Sequence, residues 1–75
     1  MKYKLLEKLI DIERIEHAVT LFGNFDENIK LIQNQFSTTI TFHNGQIKIS
    51  GEQENVNLTT RTIRCLLAMI NKGEH

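Results

Sequence analysis

The sequence has no proline, no tryptophan and a single cysteine, Cys65. Without proline there is no proline-rich linker to separate domains, and no repeat or low-complexity tract is visible. One cysteine cannot form an intramolecular disulfide. Cys65 lies in the apolar segment IRCLLAMI, which predicts an inert core residue. A reactive thiol is disfavoured because no His or carboxylate beside it in the sequence would activate it.

The sequence also lacks an excess of either charge. Nine Lys and Arg balance nine Asp and Glu. Proteins that bind nucleic acid tightly on their own usually carry a clear positive excess, because they neutralise phosphates. The balance therefore counts against tight, free-standing nucleic-acid binding, although it leaves room for a local basic face.

Long apolar runs are missing as well. No segment reaches the length that spans a bilayer, and Glu7 and Lys8 interrupt the apolar N-terminal stretch, which no small-residue cleavage site follows. The proportions of hydrophobic and charged residues, 40% and 24%, are typical of a globular chain. We therefore expect one domain with one core over residues 1–75, located in the cytoplasm and not in a membrane.

The side chains that catalysis or metal binding would need are sparse. No nucleotide-binding P-loop occurs, and the histidines stand at no metal-ligand spacing with the cysteine; they are His17, His43 and His75. Glu13 and Glu16 lie one helical turn apart and predict a solvated face rather than an acid–base pair. We therefore expect no catalytic residue, no metal site and no cofactor in this chain.

The first half of the chain is predicted to form one strand and two helices. Residues 4–10 fit an alternating strand, although a helical stripe also fits them. Asp11 is then placed to cap a helix that ends at Gly23, which can adopt a left-handed conformation. The spacing predicts that this helix buries Ile12, Ile15, Val19 and Phe22. A second helix follows from Asp26, and its apolar side consists of Ile29, Ile32 and Phe36.

The second half begins with the strongest local signal, TTITFHNGQIKIS. Two alternating, β-branched runs flank Asn44-Gly45, the pair that a two-residue type I′ turn prefers, so residues 38–43 should pair with 46–50. One face of this hairpin should carry Ile40, Phe42, Ile47 and Ile49. A helix over 53–71 should turn inward Val56, Ile63, Leu66, Leu67 and Ile70, and outward Arg61, Arg64 and Lys72. This order predicts an α+β sandwich whose small sheet is covered on one face.

The join between the first two helices, within FGNFDENIKLI, allows two interpretations. It can be a tight turn with no ligand. Alternatively, Asn24 and Phe25 can expose backbone amides at the positive end of the second helix, where phosphates commonly bind. Asp26 favours the first interpretation, because a capping carboxylate occupies the amides that a phosphate would use.

The stretch LFGNFDENIKLIQNQFSTTITFHNGQIKISGEQENV resembles the KH module in the order and spacing of its elements. In that family a four-residue loop that begins and ends with glycine clamps the nucleic-acid backbone, and a hydrophobic groove beside it holds the bases. Gly23 matches the first glycine, whereas Asp26 stands where the second should be. The resemblance implies a KH-like fold of type I order, with Ile29, Ile40 and Phe42 in the groove or core. It implies a nucleic-acid site at Gly23, Asn24, Phe25, Asp26 and Lys30.

More specifically, LFGNFDENIKLI, NGQIKISG and INKGE resemble the N-terminal segment of PhoH-like proteins, the phosphate-starvation-inducible ATPase family, over about residues 11–74. The resemblance implies an accessory domain excised from a longer chain, in which a P-loop ATPase domain follows and holds ATP and Mg²⁺. The partners that it implies are weakly bound single-stranded RNA, the ATPase domain of the same chain and further copies in an oligomer of the full-length protein.

Three functions stay open. The chain can be an RNA-binding module, or a protein-interaction module that positions an ATPase. It can also be an α+β domain of unrelated purpose. The glycine of the loop favours the first function, whereas the balanced charge and Asp26 favour the second.

Overall fold

The computed structural model describes residues 5–23 and 26–72. Their elements are, in order, β1 (Leu5–Asp11), α1 (Ile15–Phe22), α2 (Glu27–Phe36), β2 (Thr39–His43), β3 (Gln46–Glu52) and α3 (Gln53–Lys72). This order confirms the predicted α+β arrangement, including a strand rather than a helix at the start. The predicted strand residue Lys4 and the histidine His75 lie outside the described residues.

The three strands form an antiparallel sheet in the order β1-β3-β2, so that β3 is central and β2 lies at an edge. The inner face of the sheet meets the helices and carries the buried residues Ile10, Ile40, Ile47 and Ile49. Leu5 and Leu9 project from the other face and remain exposed. The sheet is thus covered on one face, as predicted.

The β2–β3 hairpin has the predicted register. Ile40 pairs with Ile49 and Phe42 pairs with Ile47. The two turn residues, Asn44 and Gly45, have φ angles of 53° and 76°. Positive φ at both central positions is what a type I′ turn requires, so the Asn-Gly pair did specify this connection.

The predicted start of α1 is wrong. Asp11 is the last residue of β1, and its Oδ1 accepts a hydrogen bond of 2.8 Å from Gln46 Nε2 instead of capping a helix. The next residue, Ile12, donates its backbone N–H to the Gly45 carbonyl, also at 2.8 Å. These contacts hold the chain beside the hairpin past Asp11, and α1 begins only after Arg14, whose extended backbone occupies the N-cap position.

The predicted buried face of α1 is wrong in part, because Ile12 and Phe22 pack against the core but Ile15 and Val19 do not. Ala18 and Leu21 are the residues that enter the core, whereas Ile15 and Val19 are 60% and 66% exposed. Phe22 is half-buried. The helix has apolar residues on two adjacent faces, and contacts with α2 and α3 decide which of them turns inward.

The closing helix α3 supplies much of the core. Val56 and Ile63 are fully buried, and the predicted inward residues Leu66, Leu67 and Ile70 lie half-buried at its margin. Arg61, Arg64 and Lys72 are exposed, as predicted. Cys65 is exposed too, which corrects the expectation of a core thiol. It follows Ile63 by two residues, about 200° around the helix, and therefore faces away from the core.

Three threonines form a buried polar group between α3 and the start of β2. The hydroxyls of Thr38 and Thr59 lie 3.1 Å apart, and Thr59 donates to the Asn55 carbonyl at 2.8 Å. Because Thr59 has one hydroxyl proton, Thr38 is the donor in the first of these bonds. Thr60 Oγ1 is buried without a hydrogen-bond partner in the described part of the chain.

Candidate nucleic-acid interface

A groove of about 310 Å³ lies where the end of α1 meets β2, beside the loop that connects α1 to α2. Its described lining consists of Ile15, Ala18, Val19, Phe22, Gly23, Asp26 and Phe42. Ile15 and Val19, which are exposed on α1, therefore form one wall of this groove. The result is an accessible apolar surface beside the predicted loop.

Two aromatic rings link the helix to the sheet within the groove. The ring centroids of Phe22 and Phe42 are 6.0 Å apart, and the ring planes meet at 64° in an edge-to-face arrangement. Such pairs contribute about 0.5–1.5 kcal/mol beyond the burial of their surface. Both rings are half-buried, so each fixes the geometry of the groove and still offers some surface to a ligand.

Gly23 ends α1 in a conformation that suits glycine. Its φ is 77° and its ψ is −176°, and its N–H donates to the Val19 carbonyl at 3.1 Å. The positive φ agrees with the prediction, although ψ places the residue in an extended region that is essentially restricted to glycine, not in the left-handed helical region. A β-carbon here would stand 2.7 Å from Asn28 Nδ2. Gly23 therefore allows a sharp turn at the end of α1 and a close approach of its own backbone to Asn28 of α2.

Asp26 occupies the N-cap position of α2, but the prediction that its carboxylate caps the helix is wrong. Its backbone is left-handed, with φ of 59° and ψ of 25°, and its side chain makes no capping hydrogen bond in the described structure. A capping residue is normally extended, which aims its side chain at the first free amides of the helix. Asp26 instead adopts a conformation that glycine accepts more readily, at the position where the KH pattern has its second glycine.

The other predicted site residues are only partly located. Lys30 is exposed on α2, one turn after Asp26, and is not among the described residues that line the groove. Asn24 and Phe25 lie outside the described residues. Of the three residues assigned to groove or core, Phe42 lines the groove, whereas Ile29 and Ile40 are buried in the core.

The edge strand β2 contributes backbone groups next to the groove. The Ile40 N–H donates to Gln33 Oε1 at 2.6 Å, so it points away from β3. In an antiparallel pair, every second residue directs its N–H and C=O to the same side. Phe42 lies two residues after Ile40, and its backbone donor and acceptor therefore face the free edge of the sheet beside the groove.

The charge near the groove is mixed. At the start of α1, Arg14 lies 3.7 Å from the Glu16 carboxylate. The pKa of Glu16 lies below its usual value. The larger cause is a hydrogen bond between the Glu16 carboxylate and the Glu16 backbone, and the next is the positive charge of Arg14. Glu16 is consequently ionised at neutral pH. No group of three or more His, Cys, Asp or Glu within residues 5–23 and 26–72 is placed to hold a metal ion.

Sequence reasoning placed the loop but missed the wall formed by Ile15 and Val19. The available signal was the excess of apolar residues in α1. A helix that buries a single face needs apolar residues on that face only. In α1, Ala18 and Leu21 already supply a buried face, and Ile15 and Val19 form a second apolar stripe beside it.

No helix in the described ranges is both long and apolar enough to cross a bilayer. No family model matches the sequence. A PhoH-like protein of Bacillus subtilis (strain 168) is 34% identical over 58 residues, which are 77% of this chain and 18% of that protein. The chain thus spans less than a fifth of the length of this curated relative.

Among solved structures, the first KH type I domain of human Vigilin superposes with a TM-score of 0.82. The match covers 100% of this chain and 85% of the Vigilin domain at 18% identity, a level at which the likeness concerns the fold. The sheet order and the β-α-α-β-β-α sequence of elements agree with this match. The chain is a KH-like domain of the PhoH-like family.

Proposed function

We propose that this chain is a non-catalytic accessory module that binds single-stranded RNA in the groove between α1 and β2. The observation that carries the proposal is the position of an apolar groove directly beside Gly23 and Asp26. Unpaired bases can be splayed out into such a groove, whereas bases within a duplex cannot.

The groove offers both kinds of contact that an unpaired base needs. Ile15, Val19 and the two phenylalanine rings provide an apolar surface, and stacking on an aromatic side chain is worth about 1–3 kcal/mol per base. Phe42 adds a backbone N–H and C=O at the free edge of β2. A base can therefore be held by its face and by its edge.

The loop provides a smaller electrostatic contribution. Since the Asp26 carboxylate makes no capping hydrogen bond, it does not occupy the first amides of α2 in the way a capping side chain would. Those amides stand at the positive end of a helix, which favours a phosphate. The Asp26 and Glu16 charges oppose this effect, and the chain as a whole has no positive excess. We expect weak binding, with dissociation constants of roughly 1 μM to 0.1 mM.

A second candidate function is supported by a different surface. The three helices enclose a groove of about 430 Å³ on their outer side, lined by Thr20, Leu21, Asn28, Leu31, Ile32, Leu66 and Ile70. None of these described lining residues is charged, and Leu31 is 64% exposed. Such a surface suits another protein domain better than an RNA. The partner proposed for it is the ATPase domain of the full-length chain.

For the full-length protein we propose a cytoplasmic ATPase of the phosphate-starvation type, in which this module delivers RNA to the domain that holds ATP and Mg²⁺. Oligomer formation belongs to the same proposal. The support is the similarity to a PhoH-like protein of which this chain matches 18%.

The test compares two variants. Each replaces an exposed apolar side chain with aspartate, and the two replaced side chains are exposed to a similar extent. Val19→Asp changes the groove between α1 and β2, and Leu31→Asp changes the outer groove of the helices; the two side chains are 66% and 64% exposed. Both variants should fold, because neither removes a core side chain. Fluorescence anisotropy with a labelled, unstructured RNA of mixed sequence measures binding.

We expect Val19→Asp to weaken RNA binding about tenfold or more, because a base against this wall would have to desolvate the new carboxylate. Leu31→Asp should change it much less, through charge alone. Equal losses in both variants would indicate contacts with phosphates only and would argue against the groove. If the wild-type chain fails to bind RNA but Leu31→Asp abolishes binding to a separately produced ATPase domain, the second candidate function is the correct one.

A further inference from the structure

Asp26 gives the groove between α1 and β2 a chemical asymmetry. Among the described residues that line this groove, it is the only one with a charged side chain. It is exposed, and its carboxylate makes no capping hydrogen bond in the described structure. The groove therefore combines apolar walls with one carboxylate that is available to a ligand.

A carboxylate recognises only part of the chemistry that bases present. When ionised it has two acceptor oxygens and no donor. On its Watson–Crick edge, guanine places two neighbouring donors, N1–H and N2–H, at a spacing that both oxygens can accept. Adenine, cytosine and uracil each place an acceptor beside a donor on that edge. Any of these three would bring a lone pair against one carboxylate oxygen.

We propose that Asp26 makes this groove selective for guanine, by accepting the N1–H and N2–H protons of an unpaired guanine whose ring lies against the apolar walls. This inference rests on the proposed RNA-binding function and specifies its ligand. It also assigns a role to Asp26, which stands where the KH pattern has its second glycine. A carboxylate that repels phosphate lowers general affinity and raises the affinity for one base relative to the others.

The substitution that tests this inference is Asp26→Asn. Asparagine has the same shape and is among the residues that tolerate left-handed backbone, so the loop should keep its conformation. Its amide turns one carbonyl acceptor and one N–H donor toward a base edge, which match adenine, cytosine or uracil but not the two donors of guanine. The control is Glu27→Gln, which removes an equal charge from the next residue. Glu27 is exposed in the first turn of α2 and is not among the described residues that line the groove.

The probes are fluorescein-labelled oligouridines of equal length that carry one central guanosine, adenosine, cytidine or uridine, titrated with the 75-residue chain at physiological salt. We expect the guanosine probe to bind the wild type about five- to 150-fold more tightly than the others, the range of one good bidentate contact. Asp26→Asn should lose this preference, whereas Glu27→Gln should keep it. Glu27→Gln should bind all four probes slightly more tightly through the lost negative charge, and Asp26→Asn should do so only for the three probes without guanosine.

The outcomes separate this inference from the function on which it rests. Equal binding of all four probes by the wild type refutes guanine selectivity but leaves RNA binding in place. A preference for guanine that survives in Asp26→Asn shows that another group reads the base, and also refutes the inference. If none of the probes binds, the proposed function itself fails.

Discussion

Replacing Gly23 with alanine tests how strictly the groove depends on its glycine. The backbone at this position, with φ of 77° and ψ of −176°, lies in a region that is essentially restricted to glycine, and a residue with a β-carbon pays about 1–3 kcal/mol to occupy it. The new β-carbon would also stand 2.7 Å from Asn28 Nδ2 and 2.9 Å from Asn28 Cγ. Because Asn28 is exposed, it can relieve this contact by leaving its preferred rotamer, at about 0.5–1.5 kcal/mol.

These two effects together predict a loss of about 2–4 kcal/mol for Gly23→Ala. A domain of this size is expected to have a total unfolding free energy of about 4–11 kcal/mol. The variant should therefore unfold at markedly lower urea concentration, and its melting temperature should fall by roughly 8–30 °C. Circular dichroism followed through urea and thermal unfolding provides the measurement.

A double-mutant cycle with Asn28→Ala separates the two causes. The contact with the side chain disappears in the Asn28→Ala background, so the cost of Gly23→Ala should fall there by about 1 kcal/mol. The backbone strain should remain. Wild-type stability of Gly23→Ala would refute the reasoning altogether. If Gly23→Ala costs no stability in the Asn28→Ala background, the glycine is required by crowding against Asn28 and not by the backbone conformation.

Two further predictions concern stability, both measured as shifts of the urea midpoint. Asp26→Gly should leave the unfolding free energy unchanged or raise it by up to about 1 kcal/mol, because glycine accepts the left-handed backbone and no capping bond is lost; a decrease would indicate that the carboxylate does cap α2. Thr60→Val should raise the unfolding free energy by about 1 kcal/mol, since it removes a buried hydroxyl without a described partner. Thr59→Val, its matched control, should lower the unfolding free energy by about 1–3 kcal/mol, because Thr38 loses its acceptor. Equal shifts for the two threonines would contradict this distinction.

The sequence by itself determined the features that depend on neighbouring residues. Asn44 and Gly45 specify a turn because few residue pairs accept positive φ at both positions, and the alternating isoleucines beside them fix the register. Gly23 could be assigned to a positive φ for the same local reason. Once the hairpin and three helices were placed in order, the α+β class followed from the need to cover one face of the sheet.

Only the tertiary structure decided which surfaces of these elements are used. The start of α1 depends on contacts of Asp11 and Ile12 with the distant β2–β3 hairpin, which no local pattern contains. Packing of α1 against α2 and α3 decided that Ala18 enters the core and Val19 remains in the groove, since both faces of α1 are apolar enough to be buried. Asp26 is the clearest example of a residue whose role the local sequence pattern could not predict. As a residue type it favours capping, but the left-handed backbone at the join of two packed helices prevents it, and a side chain expected to close the site becomes part of its lining.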